Sequence, residues 1–214
     1  MNIDIFTIGH STQSTGQFVR RLQDHRITAV ADVRSTPYSR RNPQFNKEEL
    51  GQALKANDIR YVFLGKELGA RSDDECCYRG GKVQYSLLAK TDLFKSGIAR
   101  VVEGAESYRI ALMCAEKDPL ECHRTILVAR ELVNHGYGIQ HILVDSSLES
   151  HSDALSRLIK LLGMGNTEDL FRSPEMTRSE AYERQAERIA YDRNAHRAGK
   201  EKHPEPFYAQ SGRR

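Results

Sequence analysis

Five reactive side chains lie within one short segment, LMCAEKDPLECHR, at residues 112–124. They are Cys114, Glu116, Cys122, His123 and Arg124. Thiolates act as nucleophiles or metal ligands, carboxylates and imidazoles transfer protons, and a guanidinium binds phosphate or carboxylate oxygens. The segment is therefore a candidate catalytic edge, a candidate metal site or a plain strand-to-helix junction.

The spacing of the thiols argues against a structural zinc site. Such sites favour cysteines two to four residues apart, whereas seven residues separate Cys114 from Cys122, and Cys76 and Cys77 are adjacent. We therefore predict four free thiols and no metal ligand set. A looser metal site that uses His10, Glu116 and His123, and metal- or thiol-dependent redox chemistry, stay open as alternatives.

The carboxylates have two interpretations. Asp32 and Arg34 are two positions apart on an extended segment and so share one face. Asp32 could act as a general base, or it could orient Arg34 through a charge-assisted pair. Glu116 could transfer protons or could bind neighbouring backbone amides. Both carboxylates are kept as candidates for acid/base chemistry, together with His10 and His123.

A cluster of basic and hydroxyl side chains follows Asp32 in the segment DVRSTPYSRR, at residues 32–41. It contains Arg34, Ser39 and Arg40, and Ser11 is expected beside it. Guanidinium forks match phosphate oxygens, and hydroxyls add donors. The cluster predicts an anion-binding edge, and a solvated basic loop is the alternative.

Apolar runs alternate with helical patterns, as in a parallel sheet covered by helices. The predicted strands span residues 3–8, 27–33, 59–64, 109–114 and 139–144. We expect an α/β fold, a three-layer Rossmann-like domain with a mostly parallel five-stranded sheet plus a C-terminal helical extension. Ligands bind outside the carboxyl ends of such strands, so the candidate residues should meet along one edge.

Two helix starts are predicted from capping patterns. Asn46 with Glu49 three residues later forms a capping box. Asp118 can cap a helix that begins at Pro119, which places Cys122 inside that helix on its sheet-facing side. Cys122 is then better explained as a small buried hydrophobe than as a reactive thiol. A further helix is expected within residues 85–104.

The chain is expected to form one α/β domain over residues 1–165, followed by an appended helix and a loose basic tail over residues 166–214. Its 32 lysines and arginines nearly balance 29 aspartates and glutamates. No apolar run approaches the roughly 20 residues that span a bilayer, and no signal sequence begins the chain. We therefore predict a cytoplasmic protein with no membrane partner.

Several ordered motifs resemble a known family. They are TIGHS, DVRSTPYSR, YVFLGKELGAR, LMCAEKDPLECHR and HILVD. Together they resemble the bacterial and archaeal family named domain of unknown function 488 (DUF488), which implies a small α/β domain with no settled activity. The family's marked positions fall on His10, Ser11, Asp32, Arg34, Ser39, Arg40, Glu116, Cys122, His123 and Arg124.

The leading hypothesis is a hydrolase or transferase that acts on a phosphate-bearing nucleotide or nucleic acid. Its expected catalytic residues are Asp32, Glu116, His123 and His10. Its expected substrate-binding residues are Ser11, Arg34, Ser39, Arg40 and Arg124. The alternatives are a non-catalytic module that binds nucleic acid or protein, and a metal- or thiol-dependent redox protein. The residues indicate no particular cofactor or protein partner, and whether the chain is an enzyme stays open.

Overall fold

A mostly parallel sheet forms the centre of the computed structural model, which describes residues 4–164 and 173–197. The strands in these residues are β1 (Asp4–Gly9), β2 (Ala29–Asp32), β3 (Arg60–Phe63), β4 (Tyr78–Arg79), β5 (Lys82–Val83), β6 (Ile110–Cys114), β7 (Gly138–Ile142) and β8 (Leu148–Ser150). The main sheet has the order β3-β2-β6-β1-β7-β8. Its first five strands are parallel, and β8 is antiparallel to β7.

The predicted strand count is therefore wrong by one. All five predicted strands are present, but the sheet has a sixth strand, β8, whose three residues carry too short a pattern to be recognised. Strands β4 and β5 form a separate antiparallel pair.

Helices connect most of the strands, and three more described helices follow the last strand. They are α1 (Thr15–Asp24), α2 (Lys47–Lys55), α3 (Gly65–Leu68), α4 (Tyr85–Leu88), α5 (Asp92–Ala105), α6 (Arg130–Asn134), α7 (His151–Leu161), α8 (Pro174–Ile189) and α9 (Arg193–Arg197). The single helix predicted within residues 85–104 is two helices, α4 and α5, because Thr91 starts a new helix by accepting a hydrogen bond from the Phe94 amide.

Alternate side chains of the strands enter two separate hydrophobic clusters. Phe6 and Val30 pack with α1 and α2 in one cluster, whereas Ile5 and Ala31 pack with α5, α6 and α7 in the other. This is the period-two pattern of a strand that is buried on both faces. The helices thus hold the central strands rigidly and leave the strand ends to carry polar groups.

The predicted capping box at Asn46 does not form. Asn46 does precede α2, but its side chain makes no capping hydrogen bond. Its Oδ1 instead accepts a hydrogen bond from the Ser39 amide at 2.7 Å. Asn46 therefore ties down the basic segment that follows β2, which a local helix pattern could not reveal.

The helix predicted to run through Cys122 is interrupted. Asp118 does accept the predicted capping bond, from the Leu120 amide at 2.9 Å, but only a 3-10 turn follows, at Pro119–Glu121. Cys122 is extended, with φ −138° and ψ 140°, and a π-helix then spans Arg124–Ala129. The prediction that Cys122 lies inside a continuous helix is therefore wrong, although the residue is buried as expected.

The C-terminal helix α8 packs on the domain. Gln185 is fully buried and donates to the Leu120 carbonyl at 2.6 Å, and the Tyr182 hydroxyl lies 2.6 Å from His151 Nε2. The predicted boundary at residue 165 and the predicted basic tail beyond residue 197 lie outside the described residues. In the part of the chain that the structure describes, no helix is long and apolar enough to cross a membrane.

Candidate functional site

The carboxyl ends of β1, β2 and β6 meet at one edge, because β6 lies between the other two strands. Beyond the strands, the His10 amide donates to the Cys114 carbonyl and the Ser11 amide to the Ala115 carbonyl, both at 2.9 Å. These bonds extend the pairing of β1 with β6 by two residues. Segments far apart in the sequence are thereby held together, as the parallel-sheet pattern predicts.

Asp32 and Arg34 form a buried ion pair at this edge. Arg34 Nε lies 2.9 Å from Asp32 Oδ1, and Arg34 Nη2 lies 2.6 Å from Asp32 Oδ2. The Tyr61 hydroxyl also donates to Oδ2 at 2.8 Å, and the Arg34 amide donates to Oδ1 at 3.1 Å. Since every acceptor site of Asp32 faces a donor, its geometry favours the orienting interpretation over that of a general base.

His10 is locked beside this pair. Its Nδ1 lies 2.8 Å from the Ser11 carbonyl and its Nε2 lies 3.3 Å from Arg34 Nη1, while its ring stacks on Phe45 at 4.4 Å. Because carbonyl oxygen only accepts and guanidinium only donates, the ring carries its proton on Nδ1. Burial lowers the pKa of His10 to about 4, so the imidazole is neutral near pH 7.

Arg124 is a buried cation without a carboxylate partner among the described residues. The side chain is 1% exposed. Its Nη1 donates to the Glu116 carbonyl at 2.9 Å, and its buried Nε has no hydrogen-bond partner within residues 4–164 and 173–197. A charge buried in this way is costly unless it is compensated, so Arg124 leaves positive potential at the carboxyl edge.

Arg21, which the sequence reasoning missed, is a second buried arginine beside this edge. Its Nη2 donates to the carbonyls of Ile142 and Leu143 at 3.0 and 2.6 Å. Burial, and then the charge of Arg124, lowers the pKa of Arg21 to about 10. A signal was available in the sequence, because Arg21 lies three residues after Phe18 on the apolar face of α1.

Cys114, Cys122 and His123 form a compact buried cluster. His123 Nδ1 lies 3.8 Å from each of the two sulfur atoms. The three donor atoms all lie within 4.8 Å of one another. Cys122 can reach Cys114 because its backbone is extended. The spacing of the thiols along the chain gave no sign of this grouping.

The electrostatics of the cluster favour charge separation. Burial opposes ionisation of Cys122, but the hydrogen bond with Cys114 and the positive charges of Arg124 and His123 lower the pKa of its thiol well below the usual range. Burial also opposes protonation of His123, yet the neighbouring Cys122 raises the pKa of the imidazole. A negative charge on Cys122 and a positive charge on His123 would each stabilise the other.

Glu116 lies against the two thiols. The residue as a whole is partly exposed, but its Oε2 atom is buried and has no hydrogen-bond partner in the part of the chain that the structure describes. Burial, and then the proximity of Cys122, raises the pKa of the Glu116 carboxyl. An unpaired carboxylate oxygen in a native structure calls for a missing ligand or a chemical role.

The remaining predicted residues lie at the margin. Ser11 is partly exposed and adopts φ 47°, which directs its carbonyl to His10. The Ser39 hydroxyl accepts hydrogen bonds from the amides of Arg41 and Asn42, so it closes its own turn. Arg40 is exposed.

Two surface cavities lie away from these side chains. One has a volume of about 350 Å³ and is lined by β2, β3 and α5, including Arg60, Arg100 and Tyr108. The other lies between α1 and α2. Neither is lined by the cysteines, by Glu116 or by Arg124. The chemistry-bearing groups are therefore concentrated at the strand ends rather than in these cavities.

One comparison with known proteins gives a match. The family model described as "Domain of unknown function DUF488" matches residues 14–130, more than half of the 214-residue chain. The matched segment includes Asp32, Glu116, Cys122 and Arg124 and begins just after His10. No curated protein and no solved structure matches the chain.

Proposed function

This chain belongs to the DUF488 family, and we propose that it is a hydrolase or transferase that binds a phosphate-bearing nucleotide or nucleic acid at the carboxyl edge of its sheet. The observation that carries the proposal is the buried guanidinium of Arg124, which has no carboxylate partner among the described residues. A bound phosphate would supply the negative charge and the acceptor oxygens that this group lacks.

Arg34 has a different role in this proposal. Because Asp32 already neutralises it through two close contacts, Arg34 offers its remaining Nη1 mainly to His10. We assign Asp32, Arg34 and His10 to a rigid frame that shapes the edge. Arg124 then provides the charge that holds the substrate, and Ser11, Ser39 and Arg40 line the approach from solvent.

Proton transfer is assigned to Glu116 rather than to His123, because both ring nitrogens of His123 already face other groups. The support is geometric, because Glu116 has a buried oxygen without a partner and lies at the edge that Arg124 makes positive. Arg124 is bound to the backbone carbonyl of the same residue, so a phosphate held by Arg124 would lie close to this carboxyl group. General acid or base catalysis of this kind contributes about 10²- to 10⁴-fold to rate.

The proposal also covers the layer arrangement of the fold and the cellular location of the protein. Helices on both faces of the sheet support a three-layer Rossmann-like description. The four cysteines are free, which fits a reducing compartment, and we propose a cytoplasmic location on that ground.

The test begins with a binding screen of nucleotides, phosphorylated metabolites and oligonucleotides at fixed ionic strength. Arg124→Met keeps the length of the side chain and removes its charge, and we expect it to weaken binding of the best ligand about 10- to 150-fold. Arg20→Met, which alters an exposed arginine of α1, is the matched control and should bind as the wild type does.

Turnover separates an enzyme from a binding module. Glu116→Gln should retain the ligand and lose turnover by about 10²-fold or more. Unchanged affinity in Arg124→Met would refute the phosphate site. Tight binding by the wild type with no turnover of any ligand would instead establish a non-catalytic module.

A further inference from the structure

We propose that Cys114, Cys122 and His123 bind a single zinc-class transition-metal ion, with the Glu116 side of the cluster left for a fourth ligand. The proposal goes beyond the phosphate site and does not depend on it, since it concerns the sulfur and nitrogen donors rather than Arg124. Thiolate and imidazole are the donors that zinc favours in proteins.

The donor distances fit a tetrahedral ion. With Zn–S of about 2.3 Å and Zn–N of about 2.05 Å, a tetrahedral angle separates sulfur from nitrogen by about 3.6 Å. The structure places His123 Nδ1 at 3.8 Å from each sulfur, and all three donor atoms lie within 4.8 Å of one another. A displacement of a few tenths of an ångström would bring both sulfur–nitrogen pairs to the separation that a bound ion requires. Such distances are long for ordinary hydrogen bonds between these groups.

The orientation of His123 is set from outside the cluster. Its Nε2 lies 2.9 Å from the Val33 carbonyl, which can only accept, so Nε2 carries a proton. The neutral ring then presents the lone pair of Nδ1 to the two sulfurs. Metal-binding histidines are typically held in this way by an acceptor on the opposite ring nitrogen.

The backbone also supports Cys122 as a ligand. The amide of Arg124 lies 3.5 Å from Cys122 Sγ, and such amide donors stabilise a thiolate. The extended conformation at Cys122, between the 3-10 turn and the π-helix, is what turns its sulfur toward Cys114. Irregular backbone of this kind is often found at functional sites.

Glu116 supplies an independent indication of a ligand. Its Oε2 is buried and has no hydrogen-bond partner among the described residues, and its carboxyl group lies beside the two thiols. A carboxylate in that position can complete the coordination shell or accept a hydrogen bond from a metal-bound water. Three protein ligands with one position left over is the arrangement of catalytic rather than structural zinc sites.

The test measures metal binding rather than catalytic turnover. Full-length protein is reduced, exchanged into chelator-free buffer and titrated with zinc or cobalt(II). We expect a single high-affinity ion by elemental analysis. The cobalt form should show a thiolate-to-cobalt charge-transfer band and the intense visible bands of tetrahedral cobalt. Cys122→Ser and His123→Gln should each weaken the affinity by more than the roughly 10- to 100-fold that loss of an outer-shell partner costs.

Cys77→Ser is the matched control, because Cys77 is also buried but lies outside the cluster. It should bind metal as the wild type does. If a cluster variant does not fold, the cobalt spectrum of the wild type still tests the proposed metal site. Absence of the thiolate charge-transfer band in the folded wild type would overturn the proposal. So would full metal affinity in a folded Cys122→Ser variant.

Peptide mapping adds a second readout on the wild type. Tryptic cleavage at Arg109, Lys117 and Arg124 places Cys114 and Cys122 in separate peptides. Zinc should slow alkylation of both of these peptides and leave that of the exposed Cys76 unchanged. Protection of Cys76 alone would refute the assignment.

Discussion

Replacing Asp32 with asparagine tests whether this residue is a positioning group or a base. The carboxylate is fully buried, and each of its oxygens accepts at least two hydrogen bonds. The amide of asparagine keeps one acceptor oxygen and turns a donor toward the other position. Whichever way the amide is placed, two donors lose their acceptor, and the Arg34 charge loses its counterion.

The structure sets the size of the effect. Removing one partner of a buried ion pair typically costs about 3 to 5 kcal/mol, because the other charge stays buried and uncompensated. For a chain of this length, each kcal/mol lowers the melting temperature by about 2 to 4 °C. Asp32→Asn should therefore melt about 6 to 20 °C below the wild type.

Urea denaturation followed by circular dichroism measures the loss directly. Asp73→Asn is the control, because Asp73 is exposed and its replacement should change stability by less than about 0.5 kcal/mol. The double variant with Arg34→Met should recover part of the loss, since both charges are then removed together. If Asp32→Asn instead keeps its stability within about 1 kcal/mol and loses turnover, Asp32 is a general base and the frame interpretation is wrong.

Three further outcomes follow from buried contacts. Burial lowers the pKa of His151 to about 4. Between about pH 6.5 and pH 4, this histidine is therefore protonated in the unfolded chain and neutral in the folded chain. The free energy of unfolding should fall as the pH drops, and His151 should account for about 2 kcal/mol of that loss at pH 5. In urea titrations, the difference in unfolding free energy between pH 7 and pH 5 should be smaller for His151→Gln than for the wild type. An equal difference in the two proteins would contradict this prediction. Gln185→Ala removes the donor to the Leu120 carbonyl and should lower stability by about 1 to 3 kcal/mol. Limited proteolysis should then cleave within α8 earlier than in the wild type. Ser179→Ala on the same helix is the control and should be cleaved as the wild type is. In Gly9→Ala the added Cβ would lie 1.9 Å from the Glu116 carbonyl oxygen, so calorimetry should show a lower melting temperature, and wild-type stability would refute the close approach.

The strands and their common edge were predictable because they follow from local patterns. Each apolar run predicts a strand, and parallel strands must bring their carboxyl ends to one side. His10, Asp32, Arg34 and Glu116 were therefore expected at the same edge of the sheet from the order of strands and loops alone. Their partners were harder to predict, because Tyr61 and Arg21 lie on elements whose own patterns give no indication of what they contact.

The junction at Cys122 shows why the cluster could not be predicted. The segment from Asp118 to Glu121 satisfies the rules for a helix start, and a 3-10 turn satisfies them equally well. Whether the next residue continues the helix depends on tertiary contacts: the Glu121 carboxylate pairs with Arg188 of α8, and Gln185 binds the Leu120 carbonyl. These contacts involve residues more than sixty positions away, beyond the range of any capping rule.

The two proposed sites are compatible because their charges balance. The charge of Arg124 acts on Cys122 and lowers the pKa of its thiol, so a thiolate there would partly offset the guanidinium charge. Two thiolates, a neutral imidazole and a divalent ion sum to zero net charge. A loaded cluster would therefore leave the charge of Arg124 uncompensated and free to attract an anion, while a ligand in the open position would face the same edge. The bound metal ion and the Arg124 guanidinium would then belong to one site at this edge of the sheet.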